Sequence, residues 1–295
     1  MTTAQLRPIA PQKLHFSENL SVWVSDAQCR LVVSQPALDP TLWNTYLQGA
    51  LRAYSKHGVE CTLDLDAISD GSDTQLFFAA IDIGGDVVGG ARVIGPLRSA
   101  DDSHAVVEWA GNPGLSAVRK MINDRAPFGV VEVKSGWVNS DAQRSDAIAA
   151  ALARALPLSM SLLGVQFVMG TAAAHALDRW RSSGGVIAAR IPAAAYPDER
   201  YRTKMIWWDR RTLANHAEPK QLSRMLVESR KLLRDVEALS ATTAATAGAE
   251  QRPSHTRAAA PAFSSFVTMT TTMSWCSIDY AQIRASSSST DSQNS

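Results

Sequence analysis

The period of the apolar positions changes several times along this chain, and each change predicts an element. LSVWVSDAQCRLVV, beginning at Leu20, alternates in part and carries β-branched Val22, Val24, Val32 and Val33, which predicts one or two strands. Asp39-Pro40 then supplies an N-cap and a first-turn proline. Trp43, Tyr46, Leu47, Ala50, Leu51 and Tyr54 follow at helical spacing, and Gly58 stops the helix. LFFAAIDIGGDVVGGARVIGPL reads as strand, Gly-Gly-Asp turn and strand, an antiparallel hairpin. PGLSAVRKMIND predicts a short helix before Gly129, and GVVEVKSGWV a strand. A helix is expected from about Ser145 to Leu162, a strand over GVQFVMG, a helix over AAHALDRWRSS, and strands over GGVIAARIP and RTKMIWWD. Strand, helix, strand, helix, strand in the middle of the chain implies a mixed sheet with helices on both faces.

After Asp209 the pattern becomes amphipathic. Leu222, Met225, Leu226, Leu232, Leu233, Val236 and Leu239 form one stripe with charges opposite. Such a stripe packs on its parent domain or serves a partner, including a second copy through Leu222–Leu239. Beyond Ala241 the chain turns Ala/Ser/Thr-rich and ends in RASSSSTDSQNS, a composition that buries too little apolar surface to order itself. The expected organisation is an arm over 1–20, a domain over 21–212, a helix over 213–241 and a disordered tail over 242–295.

The 295 residues are 45% hydrophobic, ample for a core, and 29 Lys+Arg against 28 Asp+Glu leave a formal charge of +1. That balance, without a long basic block, argues against nucleic acid. No apolar run approaches a membrane span and none near Met1 reads as a signal peptide, so a cytoplasmic protein is expected. Cys29, Cys61 and Cys276 are scattered and odd in number, which indicates neither a disulfide framework nor a metal site.

The opening helix, the GDVVGGAR hairpin and the strand-loop-helix EVKSGWVNSDAQRSDAIAAALARAL together resemble the GNAT acyltransferase fold, over roughly Val22 to Asp209. Within that fold the resemblance is to the N-acyl amino acid synthase and autoinducer (acyl-homoserine lactone) synthase branch. Arg92 stands where that branch has a G-x-x-R strand end, and Glu132 where it has the glutamate of an E-x-S-R-like strand. The resemblance implies a mixed, mostly antiparallel sheet with helices on both faces. It also implies an N-acyltransferase that takes an acyl group from coenzyme A or from the phosphopantetheine of an acyl carrier protein and gives it to a small amine such as an amino acid. No tightly bound cofactor or metal is implied. The donor phosphate is expected at the helix N-terminus, on Arg144, Ser145 and Ala147, where free N–H groups and the helix dipole favour an anion.

The sequence also departs from the fold's motifs. Arg144-Ser-Asp-Ala-Ile-Ala lacks the glycines that let a backbone approach a pyrophosphate, and Asp146 adds a carboxylate there. Trp180 occupies the place of the tyrosine that can protonate a leaving thiolate, and indole N–H is no such acid. Asp64, Asp66, Asp70 and Asp73 do not reproduce the Asp-x-x-Asp of the lactone-forming members, and no arginine follows Glu132 at the strand position. Glu132 is a candidate general base, or the ion-pair partner of Lys134 or Arg92. Arg92 either anchors an acceptor carboxylate or is structural. Trp137 and Trp180, with Trp207 and Trp208, line an acyl site or fill a core. His175 lies nearest the substituted tyrosine motif. The alternative function is a non-catalytic module of the same fold that binds an acyl ligand or a protein.

Overall fold

The computed structural model describes residues 16–250, with side chains as far as residue 235. The expectations for the first part of the arm and for the tail beyond residue 250 lie outside the described residues. The first strand segment resolves into β1 (Leu20–Val24) and β2 (Cys29–Ser34), an antiparallel pair. Helix α1 (Pro40–Ser55) begins as its sequence predicts. Asp39 accepts the Leu42 N–H at 2.9 Å, and the stripe buries Trp43, Tyr46, Leu47 and Ala50. A single turn, α2 (Leu65–Ile68), leads to the hairpin of β3 (Thr74–Asp82) and β4 (Val87–Ile94). Its turn is held by Asp82 Oδ1, which accepts the N–H of Gly84 and of Asp86, while Gly85 takes φ +91°.

The connection then carries α3 (Ala105–Glu108) and α4 (Leu115–Asn123), followed by β5 (Val130–Val138). The single helix expected after β5 is two, α5 (Ser145–Ala155) and α6 (Leu158–Leu162). The break falls at Pro157, which has no N–H to give and whose ring would meet the carbonyl four residues back. Strand β6 (Phe167–Ala173) follows, and the helix expected over AAHALDRWRSS is regular only as α7 (Leu177–Arg181) after a 3₁₀ turn at Ala174–Ala176. The GGVIAARIP strand is reduced to β7 (Val186–Ile187), because the chain turns at Ala189, whose N–H bonds Ile187 O at 2.8 Å. Then come β8 (Thr203–Asp209) and α8 (Pro219–Glu250), which runs past its expected end at Ala241.

The eight strands form one sheet in the order β1-β2-β3-β4-β5-β6-β8-β7, antiparallel throughout except for β5 and β6. This is the mixed, mostly antiparallel sheet with helices on both faces that the resemblance implied. Strand alternation sorts the core. One face sets Phe77 and Ala79 against Trp43 and Tyr46 of α1, and Val130, Met169 and Trp207 against Trp109, Val118 and Ile122. The other sets Phe78, Val131, Val168 and Trp208 against Ile148 and Leu152 of α5 and Leu232 of α8.

The amphipathic stripe of α8 is therefore used within the chain. Met225 and Leu232 are buried against β1 and α5, the parent-domain packing that is one of the two readings of the stripe; the side chains of Val236 and Leu239 lie outside the described residues. Charge fixes that docking. Arg154 of α5, with no exposed side-chain surface, meets Glu228 at 2.9 Å, Gln221 at 2.8 Å and Asp26 at 3.1 Å, and Arg224 also pairs with Asp26. No described helix is long and apolar enough to cross a membrane.

Only a short stretch of β5 and β6 is paired, from Val130↔Phe167 to Val133↔Gly170. Beyond it β5 stays with β4 and β6 stays with β8 as far as Ala173↔Thr203, so the two strands part. The parting coincides with irregular backbone: a register shift in β4 between Gly90 and Arg92, and Ser135 of β5 at φ +51°. A non-glycine residue in the left-handed region is costly and marks a place the surrounding fold must hold. Here Tyr46 Oη donates to Ser135 O at 2.8 Å.

Candidate active site

The gap between the parted strands is a cavity of about 340 Å³, walled by Lys134–Gly136 of β5 and Gly170–Ala173 of β6. It passes from one face of the sheet to the other. Glu108, Lys134 and Thr171 lie at its polar end; Val133, Leu156, Ile206 and Trp208 form an apolar end on the α5 face. Tyr54 of α1, His57 just beyond it, Trp180 of α7, and Tyr196 and Tyr201 ahead of β8 add to the walls.

The polar end is built by α3, the one-turn helix that carries no strong sequence signal. The residue after it, Trp109, donates Nε1–H to Pro192 O at 2.9 Å, and Asn112 donates to Ala193 O at 3.0 Å, tying this turn to the loop before β8. Glu108 is thereby held under the cavity, its side chain 3% exposed. Its Oε1 accepts from Thr171 Oγ1 at 2.9 Å and from Lys134 Nζ at 3.1 Å, and lies 3.0 Å from His104 Nδ1. Lys134 Nζ is also 2.7 Å from His104 Nδ1, so carboxylate, ammonium and imidazole share one small space. Glu108 Oε2 is buried and has no hydrogen-bond partner among the described residues. The His104 ring stands edge-on to Tyr196, with centroids 5.8 Å apart.

Burial alone would raise the Glu108 pKa. Lys134, His104 and the Thr171 hydroxyl outweigh it and bring the group down to about 2, so Glu108 is an anion at any physiological pH. Glu132 is different. Burial dominates there and pushes its pKa up, with Lys134 and His104 working against the rise and Glu108 adding to it.

Glu132 has no exposed surface and does not line the cavity. Its Oε2 accepts the backbone N–H of His104 at 3.1 Å, and Oε1 stands 4.0 Å from Lys134 Nζ with no hydrogen bond to a described residue. It lies behind the polar end, pinning the start of α3. Arg92 also lies outside the cavity. Its Nη1 binds both oxygens of Asp73 at 2.7 and 2.6 Å and Thr74 Oγ1 at 3.1 Å, and its Nε reaches Ser135 Oγ at 3.3 Å. That guanidinium is engaged in holding β3, β4 and the bend of β5 together.

The α5 N-terminus stands apart from the cavity too. Arg144 takes φ +64° and turns its guanidinium to Asp26 O at 3.2 Å, while Asp146 pairs with Arg179 at 2.8 Å. None of Arg144, Ser145 and Ala147 lines a cavity. The two tryptophans do. Trp180 borders this cavity and a second one of about 510 Å³, which Trp137 also lines. The two cavities share Tyr54, His57, Gly136, His175, Ala176 and Trp180, and so form one groove across the C-terminal half of β5. Among the described residues no group of three or more His, Cys, Asp or Glu could hold a metal ion.

The sequence pointed to Glu132 with Lys134 as an ion-pair partner, which stands 4.0 Å away, but missed His104, Glu108 and Thr171. The signal that could have found the first two is the spacing His104-x-x-x-Glu108, which puts two titratable groups on the same side of a helical turn.

No family model matches the chain. Its fold is similar to that of FeeM, an N-acyl amino acid synthase from uncultured soil microbes, at 14% identity and a TM-score of 0.45, over 66% of this chain and 97% of that one. It is similar also to BjaI, a coenzyme A-dependent acyl-homoserine lactone synthase, at 18% identity and a TM-score of 0.43, over 70% and 89%. A third similarity is to MesI, likewise a coenzyme A-dependent acyl-homoserine lactone synthase, at 16% identity and a TM-score of 0.43, over 65% and 91%.

Proposed function

We propose that this chain is an N-acyltransferase that moves an acyl group from a thioester to a small amine, with the reacting carbon at the gap between β5 and β6. The observation that carries the reading is the passage through the sheet, which joins a buried anion, Glu108, to an apolar chamber by way of bare strand edges. The thioester carbonyl lies along the unpaired edge of β5 at Lys134–Gly136, where free backbone N–H groups are the natural donors to a developing oxyanion. The acyl chain occupies the apolar end at Val133, Leu156, Ile206 and Trp208. The acceptor amine sits at the polar end of the cavity beside Glu108, whose negative charge favours an N–H donor there.

Attack by the neutral amine forms the C–N bond, and collapse breaks the C–S bond. The amine's surplus proton passes to the Glu108–His104 pair and on to solvent. The thiolate needs no acid, since a thiol of ordinary pKa near 8.5 is a good leaving group at neutral pH. That accounts for the tolerance of Trp180 where a tyrosine could have stood. Lys134 balances the Glu108 charge and keeps it ionised, at the cost of basicity, so Glu108 orients the amine more than it deprotonates it.

Turnover is tested by incubating the protein with octanoyl-pantetheine and a panel of amino acids and polyamines, and following free thiol release and the amide by mass spectrometry. Thiol release that depends on both the amine and Glu108 supports the reading. Thioester binding without any amide product leaves the alternative, a module that binds acyl groups without turning them over.

A further inference from the structure

An amine already stands beside Glu108, and it belongs to the chain itself. Lys134 is the one lysine among the described residues that line the gap between β5 and β6, and its side chain is 14% exposed. Its Nζ lies 3.1 Å from Glu108 Oε1, in the place proposed for the acceptor's nitrogen, and it springs from the stretch of β5 along which the thioester carbonyl is proposed to lie. A second contact sets it apart from a plain ion pair. Nζ is 2.7 Å from His104 Nδ1, and that same ring nitrogen is 3.0 Å from Glu108 Oε1. Nζ, Nδ1 and Oε1 therefore close a triangle in which one proton has two places. With the proton on lysine, an ammonium donates to the imidazole and to the carboxylate. With the proton on Nδ1, an imidazolium donates to Glu108 Oε1 and leaves lysine a neutral amine. Both forms carry the same net charge, so the burial that resists a change of charge does not resist the move. An aliphatic amine ordinarily holds a proton more tightly than an imidazole, so the neutral-amine form is the minor one.

We propose that Lys134 Nζ is an acylation site of this chain, modified by the thioester donor when no free amine is present. The inference rests on the acyl-transfer reading and deepens it. The neutral Lys134 amine attacks the thioester carbonyl, the C–N bond forms and the C–S bond breaks. Of the two protons that the ammonium loses on the way to the amide, one leaves through His104 to solvent and the other ends on the departing sulfur as thiol. The product is an amide, so the acyl group stays. Holding nucleophile and thioester in one cavity makes the step intramolecular once the donor is bound, which offsets the scarcity of the neutral amine. Acylation removes the ammonium that faces Glu108 and sets an amide in the acceptor's place, so a modified chain no longer turns over. A free acceptor competes with Lys134 for the same carbonyl and thereby protects it.

The test incubates the full chain with octanoyl-pantetheine and no added amine, and follows intact mass, thiol release and peptide mapping together. The parent is expected to take up a single octanoyl group per chain, to release thiol in equal amount, and to lose acyl transfer to added amines in proportion. Mapping is expected to place the group on Lys134 faster than on Lys56 or Lys120, which are 46% and 75% exposed and meet no imidazole, by about tenfold or more. His104→Ala is expected to slow the labelling of Lys134 by about tenfold or more and to leave the background labelling of Lys56 and Lys120 unchanged. Lys134→Arg, which keeps a cation but cannot be acylated in this way, is expected to release no matching thiol. Octanoyl groups spread over Lys134, Lys56 and Lys120 at comparable rates overturn the site, as does a His104→Ala chain that labels Lys134 as fast as the parent. If Lys134 stays unmodified while added amines are acylated with Glu108-dependent thiol release, the self-acylation alone has failed and the acyl-transfer reading stands. If neither Lys134 nor any added amine is acylated, both have failed.

Discussion

At the scale of single residues, two buried glutamates 24 positions apart in sequence divide the work by environment. Glu108 is held ionised by Lys134, His104 and Thr171 and borders the cavity; Glu132 lies fully buried and props the His104 N–H from behind. Glu108→Gln is expected to lower kcat/KM by about tenfold or more, since an amide keeps the shape but loses the charge that holds and orients the amine. Glu132→Gln keeps an oxygen for the His104 N–H and is expected to stay near the parent rate, whereas Glu132→Ala frees the start of α3 and falls. A parent-like Glu108→Gln with an inactive Glu132→Gln would reverse the assignment. The same contrast shows in stability. Because the folded Glu108 pKa is depressed to about 2 from its ordinary 4.5, its stabilising contribution is full above 4.5 and lost as pH falls toward 2. Glu132 has the opposite sign, raised in the folded state, so its contribution is full below the ordinary carboxylate range and lost as pH rises through the folded value. Thermal melts of Glu132→Gln should therefore gain on the parent as pH rises above the ordinary carboxylate range. A difference that stays flat with pH would mean that Glu132 titrates normally.

At the scale of elements, the energetic joint is Arg154, where α5, α8 and the β1–β2 turn meet. Removing one partner of a buried charge network leaves the others uncompensated, so Arg154→Ala is expected to cost about 3–5 kcal/mol by urea unfolding, far more than an exposed-arginine control such as Arg211→Ala. A cost below about 1 kcal/mol would mean that Asp26 and Glu228 rehydrate freely and that α8 docks by Met225 and Leu232 alone. Which elements were legible follows from how each is specified. Helix α1 declares itself through Asp39-Pro40 and a six-residue stripe, and the β3–β4 hairpin through Gly84-Gly85-Asp86, because local chemistry fixes both. The break at Pro157 was written in the sequence but masked by the alanine and leucine run on either side. Helix α3 was not legible, being four residues long with no side-chain cap; its place depends on Trp109 reaching Pro192 and on Glu132 reaching His104, contacts that span 83 and 28 positions. The catalytic candidates that escaped notice sit on that element. Those that were noticed, Glu132 and Arg92, stand on regular strands, where alternation reveals the face of a side chain but not whether a partner already occupies it.

For the whole molecule, the decisive feature is that one sheet has incompatible chemistry on its two faces and an opening between them at the parting of β5 and β6. The α3 face at the gap holds an anion, an ammonium and an imidazole; the α5 face holds aliphatic side chains and Trp208. A fully antiparallel sheet would seal one from the other. Here the parallel pair β5 and β6 is joined through the α5–α6 crossover, and its pairing ends at Val133↔Gly170, so the seal fails at that point and both chemistries meet at the strand edges. Val133 is the last residue of β5 paired with β6, is partly buried, and lies at the threshold of the apolar end. Its side chain is therefore positioned to set how long an acyl chain can thread the sheet. Val133→Phe fills that threshold from the α5 side of the sheet, the face opposite Glu108. It is expected to lower kcat/KM for dodecanoyl thioesters by about tenfold or more, since each excluded methylene forfeits part of about 0.8 kcal/mol of burial, while leaving acetyl thioesters within about twofold of the parent. Steady-state rates across a series of acyl lengths, with the unfolding midpoint of the variant measured alongside, decide it. A uniform fall at every length would place the acyl chain elsewhere, and with it the passage through the sheet would lose its role in the reaction.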